Sequence, residues 1–335
     1  MSAWPPPAIQ VVLDRGVDAA LAEIPTQAGV GQILGDEGKS LTIGRPADLR
    51  KWFGTQLGRA KVKKGQRPPT DLSAVARVLS FSVSTSSFGQ RLQFERLMSR
   101  YVPASARRDL KTPAYLHIDV TERFPRVTIV SGGAGRSDLF GPFRDRKAAD
   151  RARDGLHKLI ALRPCDFKFE PAVDLDLGLS CLYAQVKTCA APCLVRVSED
   201  DYRGLARQAV DLLTSPSARG AERPAWLPAF ATTASTRAVI AERGSAGLEL
   251  YPVVAGVVCE DTMTVASDTV APDDVRTALS SLRWRLPDAP GADEAWLMSW
   301  LYERRRRGVY VTTRDEDSSS LDAVIDACGS AVSSR

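Results

Sequence analysis

Four of the six cysteines in this 335-residue chain lie close together, at positions 165, 181, 189 and 193, separated by 15, 7 and 3 residues. Four thiolates so closely spaced form the ligand set of a metal centre, because one soft tetrahedral site needs four sulfur donors. The fold must therefore bring Cys165, Cys181, Cys189 and Cys193 together. Structural zinc is one candidate occupant, although the paired CxxC spacing common in zinc sites is missing.

Disulfides are the other use of such cysteines, and the start of the chain argues against them. The opening MSAWPPPAIQVVLDRG has no basic segment followed by an apolar one, as a secretory signal would. We therefore expect a cytoplasmic protein with reduced thiols. No apolar run approaches the length of a membrane span, so we expect no membrane partner.

Positive charge is concentrated in two stretches of the chain, whose net charge is only +5. Residues 45–67 contain eight basic residues and one acid, and residues 142–163 contain seven basic residues and three acids. Such stretches neutralise phosphates, so we predict DNA as a partner, bound without sequence preference. The candidate contacts in the first stretch are Arg45, Arg50, Lys51, Arg59, Lys61, Lys63, Lys64 and Arg67.

The pattern of apolar residues, turns and linkers predicts an α+β protein of three folded parts. A small mixed α/β domain (25–111) follows an N-terminal segment (1–24), and a helical four-cysteine module lies within 112–213. A linker (214–245), a separate C-terminal α/β domain (246–313) and a flexible tail (314–335) complete the chain. Pro46 is expected to open a helix, and Ser198 with Asp201 has the spacing of a helix N-cap.

Four short segments around the cysteines resemble one known family. They are LFGPF (139–143), LHKLIALRPC (156–165), CLYAQVKTCAAPC (181–193) and VSEDDYRGL (197–205). They are similar to the cysteine-rich middle of UvrC, the incision subunit of bacterial nucleotide excision repair, and of the shorter UvrC-like nuclease Cho. The resemblance implies that the four cysteines hold a 4Fe–4S cluster and that the partners are DNA and a repair protein.

Residues 24–53, IPTQAGVGQILGDEGKSLTIGRPADLRKWF, resemble the opening of the GIY-YIG nuclease domain of that family. In the family, two tyrosines and a lysine help to activate water, and an arginine stabilises charge on the phosphate. Here Gly31 and Thr42 stand in place of the tyrosines, Arg45 in place of the lysine and Trp52 in place of the arginine. The resemblance therefore implies a degenerate nuclease fold.

Glu95, in LQFERLMSRY, is the candidate for the glutamate that binds Mg²⁺ in the family. Its alternative role is an ion pair with Arg91, one helical turn earlier. Arg45 is the second candidate catalytic residue, since it can still meet a phosphate. Two functions follow from these residues: a non-catalytic DNA-binding or scaffold protein of excision repair, or a divalent-metal-dependent endonuclease that cuts near lesions.

Overall fold

A computed structural model shows a mixed α and β chain built around three antiparallel sheets. It describes residues 8–59, 70–103, 106–107, 112–132, 136–175, 181–214, 224–227, 232–233, 236–265, 271–286, 293–304, 307–313 and 325. The predicted α+β class is confirmed. Among the helices of these residues, none combines the length and the apolar character that a membrane crossing requires.

The first unit is a four-stranded sheet in the order β1-β4-β2-β3, flanked by three helices. Its strands are β1 (Ile9–Val12), β2 (Gly29–Leu34), β3 (Ser40–Gly44) and β4 (Val78–Val83). Its helices are α1 (Val17–Glu23), α2 (Leu49–Gln56) and α3 (Ser87–Tyr101). Gly38, with φ of 72°, makes the turn between β2 and β3 that a residue with a Cβ would strain.

Two boundaries of this unit differ from the sequence prediction. The segment 1–24 was expected to lie outside the domain, but β1 is the edge strand of its sheet and pairs with β4. A short, mostly exposed strand is hard to predict from the residues nearby, since its pairing partner lies far along the chain. Helix α2 begins at Leu49 rather than at Pro46, because the Asp48 carboxylate caps it by accepting from the Lys51 N–H at 2.9 Å.

The middle unit carries the cysteines on a second four-stranded sheet, in the order β6-β5-β7-β8. The strands are β5 (Ala114–His117), β6 (Thr128–Ser131), β7 (Leu139–Phe143) and β8 (Thr232–Thr233). The helices are α4 (Arg146–Leu159), the single turn α5 (Leu182–Gln185) and α6 (Glu199–Thr214). The predicted cap of α6 is confirmed, because the Asp201 N–H donates to Ser198 Oγ at 3.1 Å.

The third unit is an antiparallel sheet in the order β11-β10-β9-β13, with β12 also paired to β10. The strands are β9 (Arg237–Gly244), β10 (Gly247–Val254), β11 (Val257–Val258), β12 (Met263–Val265) and β13 (Val309–Thr313). The helices are α7 (Pro272–Ser280) and α8 (Asp293–Leu301). The predicted linker 214–245 is wrong at its end, because β9 pairs along its whole length with β10.

The third unit had been expected to form a separate domain. Instead, it shares a hydrophobic core with the first unit. Phe88 and Leu92 of α3 are fully buried against a cluster that includes Trp296 and Trp300 of α8. The Arg96 guanidinium also donates to the carbonyl oxygens of residues 258 and 259, at 2.9 and 3.0 Å. Burial of aromatic and aliphatic surface on this scale fixes the third unit against α3.

Candidate functional site

The four clustered cysteines lie on the loops between α4 and α6. Cys189 and Cys193 are buried, each with 8% of its surface exposed, whereas Cys165 and Cys181 are half-buried. All four are free thiols, as is Cys259 in the core of the third unit. The buried pair lies just before α6, whose capped start fixes the end of the loop.

The thiols lie close enough to influence one another's ionisation. Burial raises the pKa of the Cys189 thiol to about 11, and the fields of Cys165, Cys181 and Cys193 add to the shift. Burial, with the fields of Cys181 and Cys165, also raises the pKa of Cys193. Within the described ranges, however, no three or more histidine, cysteine, aspartate or glutamate side chains are arranged to hold a metal ion. The fold therefore brings the four thiols near enough to interact electrostatically.

The backbone around the buried cysteines adopts conformations that side chains normally avoid. Lys187, Ala191 and Val195 have φ of 59°, 52° and 53°, although none is glycine and Val195 is β-branched. The Ala191 N–H donates to Cys189 Sγ at 3.3 Å. Such strain persists only where surrounding contacts enforce it, and it is concentrated at binding sites. N–H groups aimed at sulfur stabilise its negative charge.

Arg163 and Tyr202 fasten the cysteine loops to the rest of the middle unit. The Arg163 guanidinium donates to the carbonyl oxygens of Phe124 and Phe167, each at 3.0 Å. The buried Tyr202 hydroxyl accepts from the Arg163 N–H at 2.7 Å and donates to the Pro125 carbonyl at 3.1 Å. The chain that leads to Cys165 is therefore held to α6 and to the region before β6.

The face of the first sheet that carries Gly31 and Gly44 is covered by the ring of Trp52. Gly31 on β2 and Gly44 on β3 are paired across the sheet, and Trp52 of α2 lies over both. A Cβ placed on Gly31 would lie 2.7 Å from Trp52 Cζ3, and one on Gly44 would lie 2.6 Å from Trp52 Cε2. These separations are far below van der Waals contact, so larger residues at 31 and 44 require the ring to move.

Glu95 is buried, with 2% of its surface exposed, and two arginines engage its carboxylate. Arg91 Nε lies 2.5 Å from Glu95 Oε1, and the buried Arg107 guanidinium pairs with Oε2. Both carboxylate oxygens therefore have a cationic partner in place of a divalent ion. The pair with Arg91 was predictable from the spacing of one helical turn, whereas the pair with Arg107 was not, because no motif or periodicity marks the segment that carries it.

Arg45 lies beside this group, with its guanidinium carbon 5.9 Å from the centre of the Phe94 ring. Burial, and then the charge of Arg91, lower the pKa of Arg45, while Glu95 and Glu303 act in the opposite direction. The structure thus brings the two candidate catalytic residues, Arg45 and Glu95, into one electrostatic neighbourhood.

The basic stretch 45–67 is only partly available to a nucleic acid. The Arg50 guanidinium donates to the carbonyl oxygens of residues 24 and 22, at 2.7 and 3.3 Å. Arg59 pairs with Asp18 at 2.8 Å, at an exposed position, and Lys51 is exposed. Lys61, Lys63, Lys64 and Arg67 lie outside the described residues. The contact of this stretch with DNA stays a prediction.

Comparison with known proteins identifies sequence relatives of the middle unit. Residues 114–212 match the family described as the UvrC/Cho excinuclease, middle domain. The chain is 30% identical over 211 residues to the UvrABC system protein C of Hyphomonas neptunium, covering 59% of the chain and 32% of that relative. The match to the protein of the same name from Methanosarcina acetivorans is 28% over 196 residues, covering 58% and 36%.

The chain spans about a third of the length of the curated relatives that it matches. The protein of the same name from Sphingopyxis alaskensis gives 29% identity over 213 residues, covering 61% of the chain and 32% of the relative. No solved structure matches the chain significantly. The match to the middle domain contains all four clustered cysteines. Residues 114–212 are therefore similar to the middle domain of the UvrC/Cho excinuclease, and about three fifths of the chain is similar to proteins named UvrABC system protein C.

Proposed function

We propose that this protein binds DNA in nucleotide excision repair, holds an iron–sulfur cluster on its four clustered cysteines, and does not cut DNA itself. The observation that carries the last part is the position of Trp52 over Gly31 and Gly44. The ring fills the space above both glycines. This face therefore offers neither a phenol to activate water nor free space in which a phosphate could bind. We infer a nuclease-like fold that lacks the tyrosines and the arginine needed to cleave DNA.

Glu95 supports the same proposal, because its charge is already neutralised. A carboxylate that forms an ion pair with Arg91 and accepts from Arg107 has little affinity left for Mg²⁺, which binds chiefly through anionic oxygens. Releasing Glu95 would also leave the buried Arg107 without that partner, at a substantial cost in stability. Glu95 thus has a structural role in holding α3 to the segment that contains Arg107.

A four-thiolate cofactor fits the residues of the cysteine loops. Their thiols share one electrostatic environment, an N–H already points at Cys189 Sγ, and strained backbone surrounds them. The occupant proposed is a 4Fe–4S cluster rather than zinc, because the four cysteines lack the paired CxxC spacing common in zinc sites and lie within the stretch similar to the UvrC/Cho middle domain. Bound metal would add its binding energy to the folding of these loops.

Basic side chains next to the cysteine loops support DNA as the partner. Lys147, Arg151 and Lys158 are exposed at positions of α4 that share one side of the helix. Asp154 is the acid that lies among them. Together with the exposed Lys51 of the first unit, they offer contacts to the phosphate backbone and none that reads bases.

The test of this proposal is metal analysis after purification without oxygen. We expect about four irons per chain and a brown protein, as four-thiolate iron clusters require. Cys189→Ser should lose the iron and lower the Tm, because the metal contributes to the stability of the loops. Cys259→Ser is the matched control: it also alters a buried thiol, but in the third unit, and should keep the iron. Stoichiometric zinc without iron in the parent would refute the cluster.

A further inference from the structure

Exposed apolar side chains are concentrated on the cysteine loops. Among the described residues, thirteen large hydrophobic side chains are exposed, and seven of them fall between positions 159 and 195. A folded protein does not expose apolar groups so densely without a use for them. The densest group lies in the loop between Cys181 and Cys189, where Leu182, Tyr183 and Val186 are 65%, 44% and 56% exposed.

These residues form a firmly held tip rather than a loose loop. Leu182 and Tyr183 begin the single turn α5, and the Cys181 carbonyl accepts from the N–H groups of residues 184 and 185 at 3.1 Å. The Tyr183 carbonyl accepts from the N–H groups of residues 188 and 189, at 3.0 and 3.2 Å. Backbone bonds thus close both ends of the turn, and the side chains at 182, 183, 186 and 187 project from it.

The charge around the tip favours a nucleic acid over a protein with basic or mixed charge. The stretch 181–197 contains Lys187 and Arg196, both exposed, and no acidic residue. Within this stretch the apolar and aromatic side chains are accompanied only by positive charge, which matches the two parts of a nucleic acid. Base faces stack on aromatic rings, and phosphates meet the cations.

We propose that the tip, defined as Leu182, Tyr183, Val186 and Lys187, is a wedge that contacts unpaired or unstacked bases in DNA. This inference rests on the proposed DNA-binding function and adds the structure of the DNA that is recognised. Apolar wedges enter a duplex where bases are already unstacked, because the cost of separating them is smallest there. The tip therefore selects distorted DNA, while the basic side chains of α4 contact the phosphates of the duplex.

The experiment compares two DNAs of equal length, one fully paired and one with a central unpaired bubble. We expect the parent protein to bind the bubble roughly tenfold more tightly, the effect of about one base stacked on one ring. The double variant Leu182→Ser with Tyr183→Ser should lose this preference and keep the affinity for paired DNA. A fluorescent base analogue in the bubble should change its emission with the parent and not with the variant.

The control is Leu286→Ser, which removes an exposed leucine of the third unit, 44% exposed, and should leave the preference unchanged. Iron content equal to that of the parent shows that the variant has kept its fold, since the substituted side chains are largely exposed. A double variant that still prefers the bubble would overturn the wedge and assign the tip to a protein partner. If the parent binds neither DNA, the proposed function itself fails.

Discussion

At the scale of single residues, Trp52 and the two glycines beneath it determine what the first sheet can do. The glycines have no side chains to offer, and the indole ring occupies the space that side chains there would need. The substitutions at 31, 42 and 52 can be read from the sequence by comparison with a nuclease family. That the ring packs over both glycines could not be read, because the contact depends on the register between β2 and β3 and on the placement of α2.

Gly31→Ala tests this packing. The added Cβ would meet the Trp52 ring at 2.7 Å, so we expect a loss of roughly 1–3 kcal/mol in the free energy of unfolding. Combining it with Trp52→Leu should cost less than the sum of the two single changes, since the smaller side chain makes room. Denaturant-induced unfolding measures both.

Gly204→Ala is the matched control for that substitution. Gly204 lies in α6, where a Cβ would meet nothing within 4 Å, so the change should leave stability equal or raise it by up to about 1 kcal/mol. A Gly31→Ala variant as stable as Gly204→Ala would mean that the indole does not lie on the sheet.

At the scale of elements, α3 joins the first and third units. It contacts the third unit both through its first residues and through the apolar side of the helix. Glu242 of β9 accepts from the Phe88 N–H and from the Ser87 hydroxyl, so its carboxylate satisfies donors at the start of α3. Burial, with the neighbouring charge of Glu249, raises the pKa of Glu242. This contact joins residues that are more than 150 positions apart, so no local pattern predicts it.

The pKa of Glu242 gives stability a pH dependence of known sign. Because its folded-state pKa exceeds the ordinary value of 4.5, its contribution is complete below that pH and is lost as the pH rises through the raised pKa. We expect the Tm of Glu242→Gln, relative to the parent, to be higher at pH 8 than at pH 5. Glu23→Gln, at an exposed position of α1, should follow the parent. A constant Tm difference for Glu242→Gln would contradict the raised pKa.

Elements with strong local signals were predictable, and those set by distant pairing were not. The cap at Ser198 and the strands β2, β3 and β4 follow from side-chain hydrogen bonding and apolar alternation within a few residues. Strand β1 was missed since its partner β4 lies far along the chain, whereas β9 was missed although it pairs with the adjacent β10. The close approach of the four clustered thiols was predictable, because its signal is chemical and does not depend on the pairing of strands.

At the scale of the whole molecule, the third unit covers the side of α3 that also carries Glu95. Phe88, Leu92 and Arg96 contact the third unit, while Glu95 is enclosed with Arg91 and Arg107. We propose that this chain binds DNA through its first and middle units and does not cut it.

The most direct test is a cleavage assay on damaged duplex DNA with Mg²⁺ or Mn²⁺, run with the iron-loaded protein at concentrations where binding is measured on the same DNA. We predict bound DNA and no nicking above the background of a Glu95→Ala variant, because Gly31, Thr42 and Trp52 supply none of the groups that activate water or stabilise the phosphate charge. Metal-dependent nicking by the parent that Glu95→Ala abolishes would contradict the account and establish an endonuclease.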